Sequence, residues 1–239
     1  MTIKVLGTGS KGNCYIITSN SGQKLILECG ISYYKIIKEI EDMSKIKLVL
    51  VSHSHGDHDF KMGKMRCSDK FKQSLISVYS PENTEIGQMY VESDFKFVPL
   101  QCKHNVECNG YYIEVDGIKI LFATDTQVIP RINIYCDYYL LEVNYQMEML
   151  ENTMYFLQTK NNEEDMQKLI HYQNVYNNHS ALETVIDYLE ANLKNYNPKG
   201  LYAIHASNSG FIIDEEVEEE LYKYCDNVKV LKEGDVIKC

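Results

Sequence analysis

Three histidines and one aspartate crowd into six consecutive positions, His53-Ser54-His55-Gly56-Asp57-His58. Imidazole and carboxylate groups are ligands that zinc and similar first-row ions prefer. The cluster directly follows the apolar run "IKLVLVS", which is typical of a buried strand. A loop leaving a strand end can turn alternate side chains into one pocket. The pattern therefore predicts a metal site, and a chance cluster on a solvated loop is the weaker explanation.

The elements that must position this cluster alternate along the chain without a linker or repeat, so we expect one domain over residues 1–239. Strands are predicted over 2–6, 14–18, 24–28, 46–52, 75–80, 95–104, 110–115, 118–123, 137–143 and 200–207, and two short strands close the chain. Helices are predicted over 32–43, 81–90, 146–172, 179–193 and 214–225. Ser180 and Glu183 match a capping box, so Ser180 is expected to cap its helix.

The stretch Gly7-Thr8-Gly9-Ser10-Lys11-Gly12 matches G-x-G-x-x-G, the fingerprint of a dinucleotide-binding turn. Pyrophosphate binding needs a helix to begin at that turn, whereas "NCYIITSNSG" favours a strand followed by a turn. Only about a dozen residues separate Gly12 from the next strand, too few for a crossover helix. The strands on either side of the glycine loop are therefore predicted to be antiparallel neighbours, and we reject the dinucleotide interpretation.

The spacing His53-x-His55-x-Asp57-His58 resembles the H-x-H-x-D-H signature of the metallo-β-lactamase superfamily. The opening "VLGTGSKGNC" and the run "LILECG" also resemble features of that family. The resemblance implies an α+β fold, a four-layer αββα sandwich with the site at one edge between two sheets. The oxygen-reducing diiron branch usually has Glu where this chain has His55. In this respect the chain is similar to the hydrolytic branch.

The same resemblance implies two divalent metal ions per chain, zinc in the first place, with manganese or iron as alternatives. Metal one would take His53, His55 and His104, the last of these following the strand "VPLQCK". Metal two would take Asp57, His58 and His205, the last of these closing the strand "GLYAIH". Asp125, at the end of "ILFATDT", would bridge both metals.

Glu142 at a strand end and His179 before a helix resemble the nuclease branches of the superfamily. The pair is similar to tRNase Z, where such a histidine is held by a carboxylate and faces the scissile phosphate. Length and opening look closer still to the YycJ (WalJ) group of DNA-acting, exonuclease-like proteins. The implied function is a phosphodiesterase or nuclease acting on DNA or another nucleic acid through a metal-bridging hydroxide. Asp57 would orient that hydroxide, and His179, supported by Glu142, would donate the proton.

Alternatives stay open at this point. The same metals could hydrolyse a small ester, thioester or lactone, and a non-catalytic metal-binding protein is a third hypothesis. His179 could also be a helix-start residue that bonds backbone, and His171, in a helical stretch without a motif, is interpreted as structural or exposed. Glu28 stands where the family usually has Asp, and Lys11 and Asn13 are weak candidates for a phosphate contact.

The net charge of the chain limits which kinds of partner it can bind. The formal net charge is −10, which argues against broad, non-specific nucleic-acid binding. Five cations nevertheless follow the metal loop: Lys61, Lys64, Arg66, Lys70 and Lys72. They are either a handle for a phosphate backbone or an ordinary solvated loop. The acidic helix around 214–220 would repel nucleic acid.

The cysteine pattern and the apolar runs bear on the compartment. The eight cysteines contain no C-x-x-C, and neither a signal peptide nor a membrane-length apolar run is visible. We therefore expect a reduced, cytoplasmic protein that does not act at a membrane. The sequence indicates neither protein partners nor an oligomeric state.

Overall fold

A computed structural model describes residues 1–160, 162–194, 196–207 and 209–239. The described residues form strands β1 Thr2–Gly7, β2 Cys14–Thr18, β3 Lys24–Leu27, β4 Ile46–Leu50, β5 Lys61–Met62, β6 Met65–Arg66, β7 Ser77–Tyr79, β8 Tyr90–Glu92, β9 Phe95–Gln101, β10 Asn109–Val115, β11 Ile118–Ala123, β12 Tyr138–Glu142, β13 Gly200–Ile204, β14 Val228–Val230 and β15 Val236–Lys238. The α-helices are α1 Tyr33–Ile40, α2 Cys67–Gln73, α3 Met147–Gln158, α4 Glu163–Asn178, α5 Leu182–Asn192 and α6 Asp214–Tyr222. Two short 3-10 turns cover Met43–Lys45 and Pro81–Asn83.

Two large sheets face each other across the main core. Their strand orders are β15-β1-β2-β3-β4-β7 and β14-β13-β12-β11-β10-β9-β8. Both sheets contribute large side chains to that core, and Tyr15 of β2 meets Phe122 of β11 edge to face at a centroid distance of 5.8 Å. The residues between the sheets are buried, so the hydrophobic effect holds the two layers together.

Helices cover the outer face of each sheet. Ile36 of α1 and Phe71 of α2 pack in a buried cluster with the first sheet, and Val185 of α5 and Val217 of α6 pack with the second. The layers therefore follow the order αββα, as predicted. No helix in the described ranges is long and apolar enough to cross a membrane, and all eight cysteines are free thiols.

The parallel strands bring their carboxyl ends to one edge of the sandwich. Strands β3, β4 and β7 run parallel in the first sheet, and β11, β12, β13 and β14 run parallel in the second. The loop 53–58 follows β4, Asp125 follows β11, Glu142 ends β12 and His205 follows β13. Such an edge is where open α/β sheets bind ligands.

The glycine loop connects two antiparallel strands, as the sequence predicts. β1 pairs with β2 in antiparallel register from Thr2 opposite Thr18 to Gly7 opposite Cys14. A Cβ at Gly30 would lie 1.7 Å from the carbonyl oxygen of Asp57, and a Cβ at Gly12 would lie 2.3 Å from that of Gly30. The glycines therefore allow this backbone to pack directly against the loop 53–58.

Two predicted helices differ from the observed ones. Residues 81–90 form a 3-10 turn and then β8, because the Asn83 side chain ties the turn to Ser80 N and Val78 O, both at 2.8 Å. The segment 146–172 contains two helices, with α4 starting anew where Asn162 Oδ1 accepts a hydrogen bond from Asp165 N at 2.9 Å. A side-chain cap of this kind favours a helix start.

The predicted capping box at Ser180 is wrong. Helix α5 begins at Leu182, and Ala181 in the capping position pairs with Tyr145 in a parallel bridge. That extended backbone turns the Ser180 hydroxyl away from the helix, so it donates to the carbonyl oxygen of Thr126. Glu183 instead accepts a hydrogen bond from the backbone of Met147 at 3.1 Å. Tertiary contacts to neighbouring loops thus replace the local cap.

Candidate metal centre

The structure brings together all seven residues that the sequence predicts as metal ligands. Their ligand atoms form two groups, each spanning no more than 4.8 Å: His53, His55, His104 and Asp125, and Asp57, His58, His205 and Asp125. Asp125 belongs to both. Its Oδ2 lies 3.7 Å from His53 Nε2 and 3.9 Å from His104 Nε2. Its Oδ1 lies 3.2 Å from His58 Nε2 and 3.5 Å from His205 Nε2.

The ring nitrogens that face away from these groups have protein partners. His104 Nδ1 donates to the carbonyl oxygen of Asn178 at 3.1 Å. His205 Nδ1 donates to Glu142 Oε1 at 3.0 Å. A histidine whose outer N–H is fixed in this way has its inner nitrogen lone pair oriented for a metal ion. Sequence reasoning did not find Asn178, since its contribution is a backbone carbonyl.

His53 provides a direct test of whether a cation fits. Among the buried side-chain nitrogen and oxygen atoms of the described ranges, His53 Nε2 is the one that lacks a hydrogen-bond partner. A buried polar atom normally has a hydrogen-bond partner. An unpartnered nitrogen that faces a cluster of ligand atoms therefore marks a place where a cation fits. Burial, with the nearby His58, lowers the pKa of His53 to about 2. The neutral ring is the form that binds metals.

The second group carries an excess of carboxylate charge. Asp57 Oδ2 lies 3.4 Å from His205 Nε2 and 3.5 Å from His58 Nε2. Burial alone would raise the pKa of Asp57, but hydrogen bonds from these two histidines hold it well below its usual range. Burial alone would lower the pKa of His205, but the carboxylates led by Asp125 raise it to about 10. Such a pocket attracts positive charge.

Glu28 supports the loop from beneath. Its buried carboxylate accepts hydrogen bonds from Ser52 N at 3.1 and 3.2 Å and lies 3.5 Å from His58 Nδ1. Burial raises the pKa of Glu28, and the contacts with His58 and Ser52 oppose that rise. The Glu28 side chain therefore reaches the loop 53–58 from the end of β3. The Ser52 hydroxyl, missed in the sequence, lies 2.9 Å from His53 Nδ1.

Three of these residues adopt strained backbone conformations at strand ends. Glu28, Asp125 and His205 have φ angles of 69°, 48° and 54°, in the left-handed region that non-glycine residues rarely adopt. Such strain costs of the order of 1–3 kcal/mol per residue and clusters at functional sites. Asp and His adopt this region more often than most non-glycine residues, but residue type alone does not identify which positions are strained.

Glu142 and His179 adjoin the second group. His179 Nδ1 donates to Glu142 Oε1 at 2.7 Å, and the His179 ring stacks on that of His205 at a centroid distance of 5.5 Å. Burial alone would lower the pKa of His179, but the charge of Glu142 raises it. Glu142 also accepts from the backbone of Thr126 and Ser180, at 3.0 and 3.2 Å. The carboxylate is thus fixed from several sides.

An open cleft of about 270 Å³ gives access to these groups. His55, Asp57, His104, Asp125, His179 and His205 line it. The cleft is completed by α4, which contributes His171, Asn174 and Asn178, and by Asn144 after β12. His171 is exposed, as one interpretation of the sequence has it, but its place at the metal cleft was not foreseen. Asn144 Nδ2 donates to the carbonyl oxygen of His205 at 3.0 Å.

The five cations of the basic stretch lie in three different environments. Lys61 and Lys64 are exposed on and beside the β5–β6 hairpin, and the Lys70 amine lies 4.3 Å from the centre of the Tyr34 ring. Arg66 and Lys72 line a separate cavity of about 380 Å³, which His53 and Ser54 of the metal loop also border.

The remaining residues of interest lie at the glycine loop. Asn13 Nδ2 lies 3.1 Å from both Asp57 O and His58 Nε2, so this amide braces the metal loop. Lys11 is exposed beside it. Asn13 is therefore engaged within the protein, and a phosphate contact by Lys11 stays a prediction.

Comparison with known proteins supports this architecture. No protein-family model matches the chain. A ribonuclease Z from Pyrobaculum aerophilum is 23% identical over 120 residues, which cover 46% of this chain and 42% of that protein. The chain thus matches less than half the length of this curated relative.

Solved structures match the whole chain at low identity. The metallo-β-lactamase fold protein YhfI from Bacillus subtilis is 15% identical with a TM-score of 0.71, covering 99% of this chain and 98% of YhfI. A diphosphatase of the PhnP family is 15% identical with a TM-score of 0.62, covering 100% and 97%. The short form of human tRNase Z is 12% identical with a TM-score of 0.60, covering 100% and 99%. This chain therefore has the metallo-β-lactamase fold.

Proposed function

We propose that the protein is a dinuclear metal-dependent phosphodiesterase. The observation that carries this proposal is His179, held by Glu142 at 2.7 Å beside a doubled set of metal ligands that share Asp125. A doubled ligand set suits hydrolysis in general. A carboxylate-held imidazole at its rim supplies what a phosphodiester needs in addition, a proton for the leaving oxygen.

The ligand assignment follows from the two groups. His53, His55 and His104 would hold one ion, Asp57, His58 and His205 the other, and Asp125 both. Two divalent ions there would lower the pKa of a water molecule and neutralise charge on the phosphoryl oxygens. The donor set of five imidazoles and two carboxylates accepts zinc, manganese or iron(II).

Two side chains outside the ligand set, and one within it, have further roles. Glu142 accepts the Nδ1 proton of His179, which fixes the tautomer and leaves Nε2 to face the cleft. The raised pKa of His179 favours the protonated form, which can transfer a proton to the leaving oxygen. Asp57, whose carboxylate is 25% exposed, is positioned to orient the attacking water molecule.

The names of the matched proteins support the choice of phosphorus chemistry. Ribonuclease Z, tRNase Z and a diphosphatase are enzymes of phosphate esters or anhydrides. We extend this chemistry to the present chain and propose DNA or another nucleic acid as the substrate class. Esters, thioesters and lactones are the competing class.

The test uses the full chain loaded in turn with zinc, manganese and iron(II). Metal content is measured, and turnover is compared for bis-p-nitrophenyl phosphate, single- and double-stranded DNA oligonucleotides and p-nitrophenyl butyrate. We expect two metals per chain and oligonucleotide turnover that His179→Ala lowers strongly. Ester turnover that exceeds phosphodiester turnover and is insensitive to His179→Ala would favour the competing class. Fewer than one bound metal per chain would contradict the dinuclear site.

A further inference from the structure

The face of α4 that borders the metal cleft carries three polar residues beside Val175. His171, Asn174 and Asn178 are spaced at i, i+3 and i+7, which places them on the same side of a helix. All three line the cleft. The end of the helix is fixed to the site, because the carbonyl oxygen of Asn178 accepts from His104 Nδ1 at 3.1 Å. The helix is therefore a positioned wall of the cleft.

Two of these three side chains are available to a ligand. The Asn178 amide donates back to the carbonyl oxygen of Asn174 at 2.8 Å, so it is already used. His171 and Asn174 are exposed, and neither side chain has a hydrogen-bond partner within the described ranges. An imidazole and a carboxamide together offer both donors and acceptors.

The remaining lining is neutral apart from the proposed catalytic and ligand residues. None of the described residues that line the cleft is Lys or Arg. The other polar lining residues are the serines and asparagines Ser10, Asn105, Asn144, Ser207 and Ser209. Positive charge for a phosphate would then come from the metal ions. Amides and hydroxyls suit uncharged hydrogen-bonding groups, and about 270 Å³ lies just below the usual range for ligand pockets of roughly 300–1,000 Å³.

We propose that His171 and Asn174 bind the nucleoside next to the scissile phosphate, through its sugar hydroxyls or base edge. This inference rests on the proposed phosphodiesterase function and names the substrate group that α4 recognises. The enzyme would read one nucleoside at a time, rather than follow a long phosphate backbone with cationic side chains.

The test compares a substrate that has a nucleoside with one that lacks it. Thymidine 5′-(p-nitrophenyl phosphate) and bis-p-nitrophenyl phosphate share a leaving group, so the ratio of their kcat/KM values isolates nucleoside recognition. His171→Ala and Asn174→Ala each remove one hydrogen-bonding side chain, and each should lower that ratio roughly fivefold. The matched control is Asn177→Ala, which removes the same side chain from an exposed position of α4 outside the cleft. It should leave the ratio unchanged.

A binding measurement separates this inference from the proposed function. Calorimetry on metal-loaded protein compares thymidine 5′-monophosphate with inorganic phosphate and requires no turnover. We expect the nucleotide to bind more tightly, and His171→Ala to remove most of that difference. Equal affinity for both ligands, or a ratio that the two variants change by less than about twofold, would overturn the inference even if phosphodiester turnover is found. An equal change in Asn177→Ala would also overturn it.

Discussion

The loop that carries the histidine cluster borders two cavities. His55 and Asp57 line the metal cleft, whereas His53 and Ser54 line the cavity that Arg66 and Lys72 also line. The metal cleft contains imidazoles, carboxylates and neutral amides. The second cavity contains two cations and four carboxylates: Arg66, Lys72, Asp59, Asp69, Glu82 and Glu107.

The two cavities balance charge in different ways. The Arg66 guanidinium lies 3.8 Å from Asp59 and 4.0 Å from Glu82, so local carboxylates already balance its charge. In the metal cleft, by contrast, carboxylates such as Asp125 have no Lys or Arg beside them among the described lining residues. Bound metal ions would then be the largest positive charges near the substrate.

The largest effect is expected from Asp125→Asn. This change removes the carboxylate that faces both groups, so we expect metal content to fall and kcat/KM for phosphodiesters to drop about a thousandfold or more, since a metal ion supplies several kcal/mol of transition-state stabilisation. Metal analysis of the purified variant together with turnover of bis-p-nitrophenyl phosphate checks it.

A buried aspartate of the second cavity is the matched control. Asp59 accepts hydrogen bonds from Ser68 N at 3.0 Å and from its hydroxyl at 2.6 Å, and it belongs to neither ligand group. Asp59→Asn should keep both metals. If it lost metal as completely as Asp125→Asn, the two cavities would not be functionally distinct.

The next effect is the loss of the proton donor. His179→Ala should lower kcat for an oligonucleotide by about 10²–10⁴-fold with metal content retained, the usual contribution of a positioned general acid. The loss should be smaller for bis-p-nitrophenyl phosphate, whose leaving group needs no proton. Equal losses on both substrates would argue that His179 supports the site structurally instead.

Sequence and structure agree on which residues lie together where strand ends carry the side chains. His53 to His58, Asp125 and His205 all follow buried strands, the resemblance to the H-x-H-x-D-H signature names them, and the structure brings their ligand atoms together. Sequence reasoning did not succeed where backbone or long-range contacts decide. Ser180 looks like a local cap, but its hydroxyl bonds the distant Thr126, and Asn178 acts through a carbonyl oxygen that every residue type possesses.

The same contrast between local sequence signals and long-range contacts explains why the sequence did not predict that α4 lines the cleft. His171 and Asn174 have the spacing of one helix face, but polar residues on a helix usually face solvent. Which polar face borders a cleft depends on how α3 and α4 pack near Tyr145 and Phe211. That packing is a tertiary property, and the sequence of α4 alone does not specify it.

A smaller effect is expected at the support beneath the metal loop. Glu28→Gln removes the charge that lies 3.5 Å from His58 Nδ1 while keeping the side-chain volume. Partners that orient metal ligands typically contribute 10–100-fold to metal affinity, so we expect one of the two ions to bind about 10–100-fold more weakly. Competition with a chelator measures it. Glu28→Asp, which keeps the charge, should retain more affinity than Glu28→Gln, and the reverse order would contradict an electrostatic role.

The smallest effect is expected from the cations of the second cavity. A side chain that contacts a phosphate contributes about one unit to the slope of log affinity against log salt concentration. Because Arg66 is already paired and the proposed cleft reads one nucleoside, Arg66→Ala and Lys72→Ala should leave both this slope and kcat/KM for a long single strand almost unchanged. Titrations of a catalytically impaired His179→Ala background with single-stranded DNA at several salt concentrations measure the slope without cleavage. A slope reduced by about one unit in either variant would make the second cavity a phosphate handle and remove the distinction between the two cavities.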